Sequence, residues 1–125
     1  MSFESILRGI LSECGGLGIA LMGSDGIPIV QITARLANGA PNPLGDEIGT
    51  AGVEFARILA EIQKASAALD AGPMVETVIS LGRFQLHFRH VDEDVILVLA
   101  LSHDGNSGRA RYLVRRSLVA LREEL

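Results

Sequence analysis

The chain is short of cysteine, of aromatic side chains and of long apolar runs, and each shortage removes a class of protein. One cysteine, Cys14, in 125 residues leaves no internal disulfide. Tryptophan is absent, Tyr112 is the sole tyrosine and aromatics are 4% of residues, so no platform for stacking bases exists. The longest apolar run, Val95–Leu101, falls far below the roughly 20 residues a membrane-spanning helix needs, so no membrane insertion is expected. The start of the chain lacks a charged-then-apolar leader, and with the lone cysteine this leads us to expect a cytoplasmic protein. An excess of positive charge is missing too: the formal net charge is −4, which argues against general nucleic-acid binding.

Catalytic constellations are also lacking. Cys14 sits on the apolar stripe of the first helix and reads as core filler. His87 and His90, three apart on a strand, point to opposite faces, and His103 belongs to a loop, so a shared metal is not expected. Asp92-Glu93-Asp94 lacks the ligand pattern of a calcium loop and reads as a solvated turn. Neither Gly15-Gly16-Leu17-Gly18 nor Gly45-Asp46-Glu47-Ile48-Gly49 ends in the Lys-Ser/Thr of a phosphate loop, and the second opens with two acids that repel phosphate. No cofactor and no catalytic residue is therefore assigned.

What the sequence does contain is apolar patterning. With 48% apolar residues, the chain supports one domain, 1–125, with one real core and some apolar surface for a partner. Phe3, Ile6, Leu7, Ile10, Leu11 and Cys14 recur at helical spacing, capped by Ser2 and stopped by Gly15-Gly16. Leu17–Met22 and Ile27–Thr33 flank Ser24-Asp25-Gly26, a strong hairpin signal. After a loop over Ala34–Gly45, a second helix is expected from Asp46 to Leu69. Met74–Leu81, Arg83–Val91 and Val95–Leu101 are three further strands, the last apolar throughout and hence covered on both faces. A last helix, with Ser107 as N-cap, runs to about Glu124. Charge is uneven: residues 1–106 hold six Lys/Arg against thirteen Asp/Glu, and residues 107–125 hold five Arg against two Glu.

The second helix has three stripes. Ile48, Gly52, Phe55, Leu59 and Ile62 form an apolar one, and Thr50, Glu54, Arg57, Glu61 and Lys64 a polar one. Gly49, Val53, Ala56, Ala60 and Ala67 form a third, of mostly small residues. Small residues let backbones approach, either onto the chain's own sheet or onto the helix of a second copy.

The opening helix FESILRGILSECGGLGIALM, the turn SDGIPI, and the long helix followed by the hairpin VETVISLGRFQLHF resemble the Roadblock family, the dynein light chain and MglB type of domain. The resemblance covers essentially the whole chain. It implies an α/β (α+β) sandwich related to the profilin and longin folds. Its five-stranded antiparallel sheet would run in the order 2-1-5-4-3, with helices one and three on one face and helix two on the other. It implies dimerisation through the second helix and third strand. It implies a non-catalytic platform for a small Ras-like GTPase, or a subunit of a motor complex. In the MglB branch the dimer stimulates nucleotide turnover on a partner whose own residues do the chemistry.

In that order the sheet edges are strands two and three. Pro28 removes a donor and blunts the first edge. Met74–Leu81 carries one charge, Glu76, and no proline or lysine, so it is expected to pair with its own copy. The expected dimer interface is thus Gly49, Gly52, Val53, Ala56 and Ala60 with Met74, Val75, Glu76, Thr77, Val78 and Ile79. Glu54, Arg57, Glu61, Arg111, Arg115 and Arg122 are the candidate docking residues for a second partner. The expected function is a homodimeric regulator or scaffold that binds a small Ras-like GTPase and modulates its nucleotide cycle. The alternative is a structural adaptor subunit of a motor or signalling complex, with no effect on GTP turnover.

Overall fold

Helix α1 (Phe3–Cys14) starts where the Ser2 hydroxyl accepts the Ser5 N–H at 3.2 Å, and ends where Gly15 turns left-handed at φ 63°. Its Ile6, Leu7, Ile10 and Leu11 are buried. The structure, a computed structural model, describes residues 2–45 and 48–125. Strands β1 (Gly18–Gly23) and β2 (Pro28–Thr33) form the expected hairpin. In its turn Asp25 Oδ1 accepts the Ile27 N–H at 3.0 Å. Then come α2 (Ile48–Ala68), β3 (Glu76–Ser80), β4 (Phe84–His90), β5 (Val95–Ser102) and α3 (Ser107–Glu123).

The sheet is antiparallel in the order β2-β1-β5-β4-β3, as the resemblance implies. Strand β5 is central and buried on both faces, which explains its lack of alternation. Its Val95, Leu97, Leu99 and Leu101 join α1 and α3 in one core. Ile96, Val98 and Ala100 join Ile48 and Leu59 of α2 in the other. Pro28 does lie on an edge strand, opposite Met22, where the register slips by a bulge.

One side chain fixes the loop into α2. Asn42 Nδ2 donates to the carbonyls of Leu17 and Ala34 at 2.9 and 3.0 Å, and its Oδ1 accepts the Leu44 N–H at 2.9 Å. Leu44 is thereby held in the α2-side core.

Most element boundaries lie within a residue or two of the sequence reading, and three of the differences have a physical cause. The cap of α3 is Asn106, whose Oδ1 accepts the Arg109 N–H at 3.0 Å, so Ser107 is already helical. Strand β3 begins at Glu76, not Met74: the Met74 N–H is taken by Gln63 Oε1 of α2 at 3.0 Å, which draws that residue off the ladder. Helix α2 ends at Ala68, where Leu69 and the positive-φ Asp70 (53°) turn the chain; its expected acidic start, Asp46 and Glu47, lies outside the described residues. Cys14 packs on the α1/α3 core half-buried rather than as full filler.

Candidate interaction surface

Helix α2 crosses the sheet with its first half over the β1–β2 hairpin, and this decides which residues it leaves exposed. A Cβ on Gly52 would come within 2.8 Å of Met22 Sδ. One on Gly26 would meet Ala56 Cβ at 3.0 Å and the Gly52 carbonyl at 3.1 Å. Gly49 faces Gln31 and Pro28 of β2. The small residues thus let α2 settle onto its own hairpin. Gly52 and Ala56, expected at a contact between copies, lie instead in the chain's own interior. The physical reason is the hairpin turn, which rises to meet the helix and leaves no room for a larger side chain. Val53 and Ala60, from the same stripe, are exposed.

The apolar stripe divides as well. Ile48 and Leu59 are buried, but Phe55 is only half-covered, its ring 5.7 Å from that of Phe88, and Ile62 is exposed. Ile58, which belongs to none of the three stripes read from the sequence, is 49% exposed. Ala51, Phe55, Ile58, Ile62, Ala65 and Leu69 therefore make a partly or fully exposed apolar line with alternating spacings of four and three. That heptad spacing is present in the sequence, but which of the helix's apolar lines faces outward is set by its rotation over the hairpin. The polar stripe is solvated, with Glu61–Lys64 paired at 3.0 Å and Glu54–Arg57 at 3.9 Å, both within the helix. Exposed pairs of this kind are worth a few tenths of a kcal/mol.

The second half of α2 is tied to the entry of β3, the open edge of the sheet, by the Gln63–Met74 hydrogen bond. Among the described residues, strand β3 pairs only with β4. Met74, Thr77 and Ile79 are partly buried, with Met74 and Ile79 on the α2-side core, while Val75, Val78 and Leu81 are exposed. Its one carboxylate, Glu76, is not free. It accepts a hydrogen bond from Arg111 Nη2 of α3 and lies 3.6 Å from Arg89 Nη1 of β4. The hydrogen bond from Arg111 holds the Glu76 carboxyl below the usual carboxylate range.

The α3 face of β4 is polar and buried. Gln85 Nε2 donates to the carbonyls of Ser102 and Gly105 at 3.2 and 3.0 Å, which turns its oxygen toward His87 Nε2 at 3.1 Å. That ring nitrogen therefore carries the proton and donates. Burial pushes the His87 imidazole below the usual histidine range; Glu76 on β3 pulls it up and Arg111 on α3 pushes it down further.

The tail arginines have separate tasks. Arg109 Nε donates to the Glu13 carbonyl at 3.2 Å and Arg116 pairs with the Glu13 carboxylate at 3.0 Å, which fastens α3 to α1. Arg122 Nε donates to the Val91 carbonyl at 2.6 Å. Of the three tail arginines expected to dock a partner, Arg122 is thus engaged within the chain, Arg111 holds Glu76, and Arg115 has no hydrogen bond or ion pair among the described residues. Among the described residues no group of His, Cys, Asp or Glu is arranged to hold a metal, and no helix is long and apolar enough to cross a membrane.

Two layers of helix about a five-stranded antiparallel sheet, with an apolar helix flank and an open edge, define a Roadblock- or profilin-like domain whose exposed features suit association. No family model matches the sequence, and no curated protein does. Solved structures do match. MglC from Myxococcus xanthus is 30% identical over 100% of both chains, with a TM-score of 0.69. A Roadblock/LC7 domain from Streptomyces avermitilis is 12% identical, covering 98% of this chain and 97% of that one, with a TM-score of 0.79. An MglB in a tetrameric arrangement is 24% identical, covering 98% of this chain and 89% of that one, with a TM-score of 0.80. The chain belongs to the Roadblock/LC7 family as an MglB-like domain.

Proposed function

We propose that this domain is a non-catalytic, cytoplasmic regulator that works as a homodimer. Its partner on this reading is a small Ras-like GTPase whose nucleotide cycle it modulates. The observation that carries the dimer is the exposed apolar line of α2 together with the unpaired, nearly uncharged edge of β3, whose entry is tied to α2 by the Gln63–Met74 hydrogen bond. Pairing β3 with its copy satisfies the open edge, and the two α2 helices then cover Ile58, Ile62 and Leu69. Val53 and Ala60, with Met74, Val75, Glu76, Thr77, Val78 and Ile79, border the same interface. Gly49, Gly52 and Ala56 act indirectly, by seating the helix. The tetrameric arrangement of the related MglB supports self-association. The GTPase partner rests on the family resemblance, and Glu54, Arg57 and Glu61 on the outer face of α2 are available to meet it.

Light scattering on the purified chain should give twice the monomer mass at micromolar concentration; a monomer would remove the dimer from this reading. Single-turnover GTP hydrolysis by a co-purifying small GTPase, with and without the domain, tests the second half. A changed rate supports regulation, and an unchanged rate with stable binding reduces the role to that of an adaptor.

A further inference from the structure

The three arginines left on the α3 face near β3 surround one small cavity. It has a volume of about 190 Å³ and is lined by Glu76, Arg89, Gly108, Arg111, Tyr112 and Arg115. The charges do not cancel. Glu76 is one carboxylate shared by Arg89 and Arg111, and Arg115 is unpaired among the described residues. A second observation is independent of charge. Arg89 Nε is buried with no hydrogen-bond partner, although a buried guanidinium N–H ordinarily has one. The N-terminal turn of α3 adds a weaker attraction for negative charge, since Gly108 lines the cavity.

We propose that this cavity receives one side-chain carboxylate carried on an acidic segment of a partner protein. Arg111 and Arg115 would bind the carboxylate across the mouth, with the Tyr112 hydroxyl as a further donor. The volume is ample for an oxyanion group. The surroundings favour one presented on a polypeptide over a free anion: Tyr112 and Val119, beside the arginines on α3, are 50% and 64% exposed, and only a chain would cover them. Val119 follows Arg115 by four residues and lies on the same side of α3. The uneven charge favours this location as well, because the segment 107–125 is the basic part of an otherwise acidic chain. The site lies within one chain on the face opposite α2, so it needs neither the dimer nor the GTPase.

The probe is a fluorescein-labelled hexaglutamate peptide, followed by anisotropy at low salt with the full chain. Binding should weaken about tenfold or more in Arg115→Ala, in keeping with the loss of one charge-assisted hydrogen bond. It should recover partly in Arg115→Lys and stay unchanged in Lys64→Ala on α2, across the sheet. Arg115 is exposed and makes no hydrogen bond or ion pair among the described residues, and light scattering on each variant checks that assembly is unaltered. No binding of the peptide, or equal binding by Arg115→Ala and the parent, would overturn the proposal. Displacement of the peptide by inorganic phosphate at concentrations comparable to the peptide's own would overturn it too, by showing a site for free anions.

Discussion

Gly26 illustrates how much one residue can fix. Its φ of 87° is strained for any side chain, and a Cβ there would meet the Ala56 Cβ and the Val53 Cα at 3.0 and 3.1 Å. Both objections act together, so Gly26→Ala should lower the unfolding free energy by about 1–3 kcal/mol in urea denaturation. A smaller change would show that the hairpin can retreat from α2. His87 makes a different prediction. Its folded pKa lies below the unfolded value near 6.5, so the unfolded chain binds the extra proton first. The stability is complete above that value and is lost as pH falls from it toward the folded pKa. Glu76 has a lowered carboxylate pKa, so its contribution is present above the ordinary carboxylate range and is lost only at more acid pH. Melting temperature should therefore fall in two stages on acidification. Substituting His87→Gln should flatten the first stage and leave the second; an unchanged first stage would assign it to another group.

At the scale of elements, α2 shows which periodicities a sequence reveals and which it conceals. Its apolar and polar faces were legible from spacing, because burial of a helix on a sheet selects a stripe. The division of the apolar residues between core and surface was not legible, because it depends on how the helix is rotated over the hairpin. Neighbouring residues now make a sharp contrast. Leu59 is 2% exposed, and Leu59→Ala should cost about 2–5 kcal/mol of stability. Ile58→Glu or Ile62→Glu should change stability little and instead convert the dimer to monomer, read by light scattering at matched concentration. Two dimeric variants with unchanged melting would move the interface off this flank. Ala56→Arg is no test of the interface, since it would force a charge against Gly26 and disrupt the fold.

At the scale of the whole molecule, the two proposed contacts differ in physical character and so in salt response. The contact through α2 and β3 is apolar with a backbone ladder, and it should persist, by light scattering, when salt is raised to about 1 M. Capture of an acidic segment at Arg111 and Arg115 is electrostatic and should weaken steeply over the same range. A dimer that dissociates in high salt would point to an ionic interface elsewhere on the surface. The two faces of one sheet would then serve two partners: α2 for self-association and regulation, α3 for an acidic segment.

By itself the sequence determined the elements, their order, the central place of β5 and the edge position of Pro28. These follow from local rules, since side-chain period, turn chemistry and the missing N–H of proline act over a few residues. Through the resemblance it also carried the sheet order. Only the tertiary structure decided that Gly52 and Ala56 seat the hairpin, that Ile58 and Ile62 face outward, and that Arg122 is already engaged by Val91. It alone brought Glu76, Arg89, Arg111 and Arg115 around one cavity from three separate elements. Those outcomes depend on the rotation of a helix and on the meeting of residues up to 39 positions apart, from Glu76 to Arg115, and no local pattern records them.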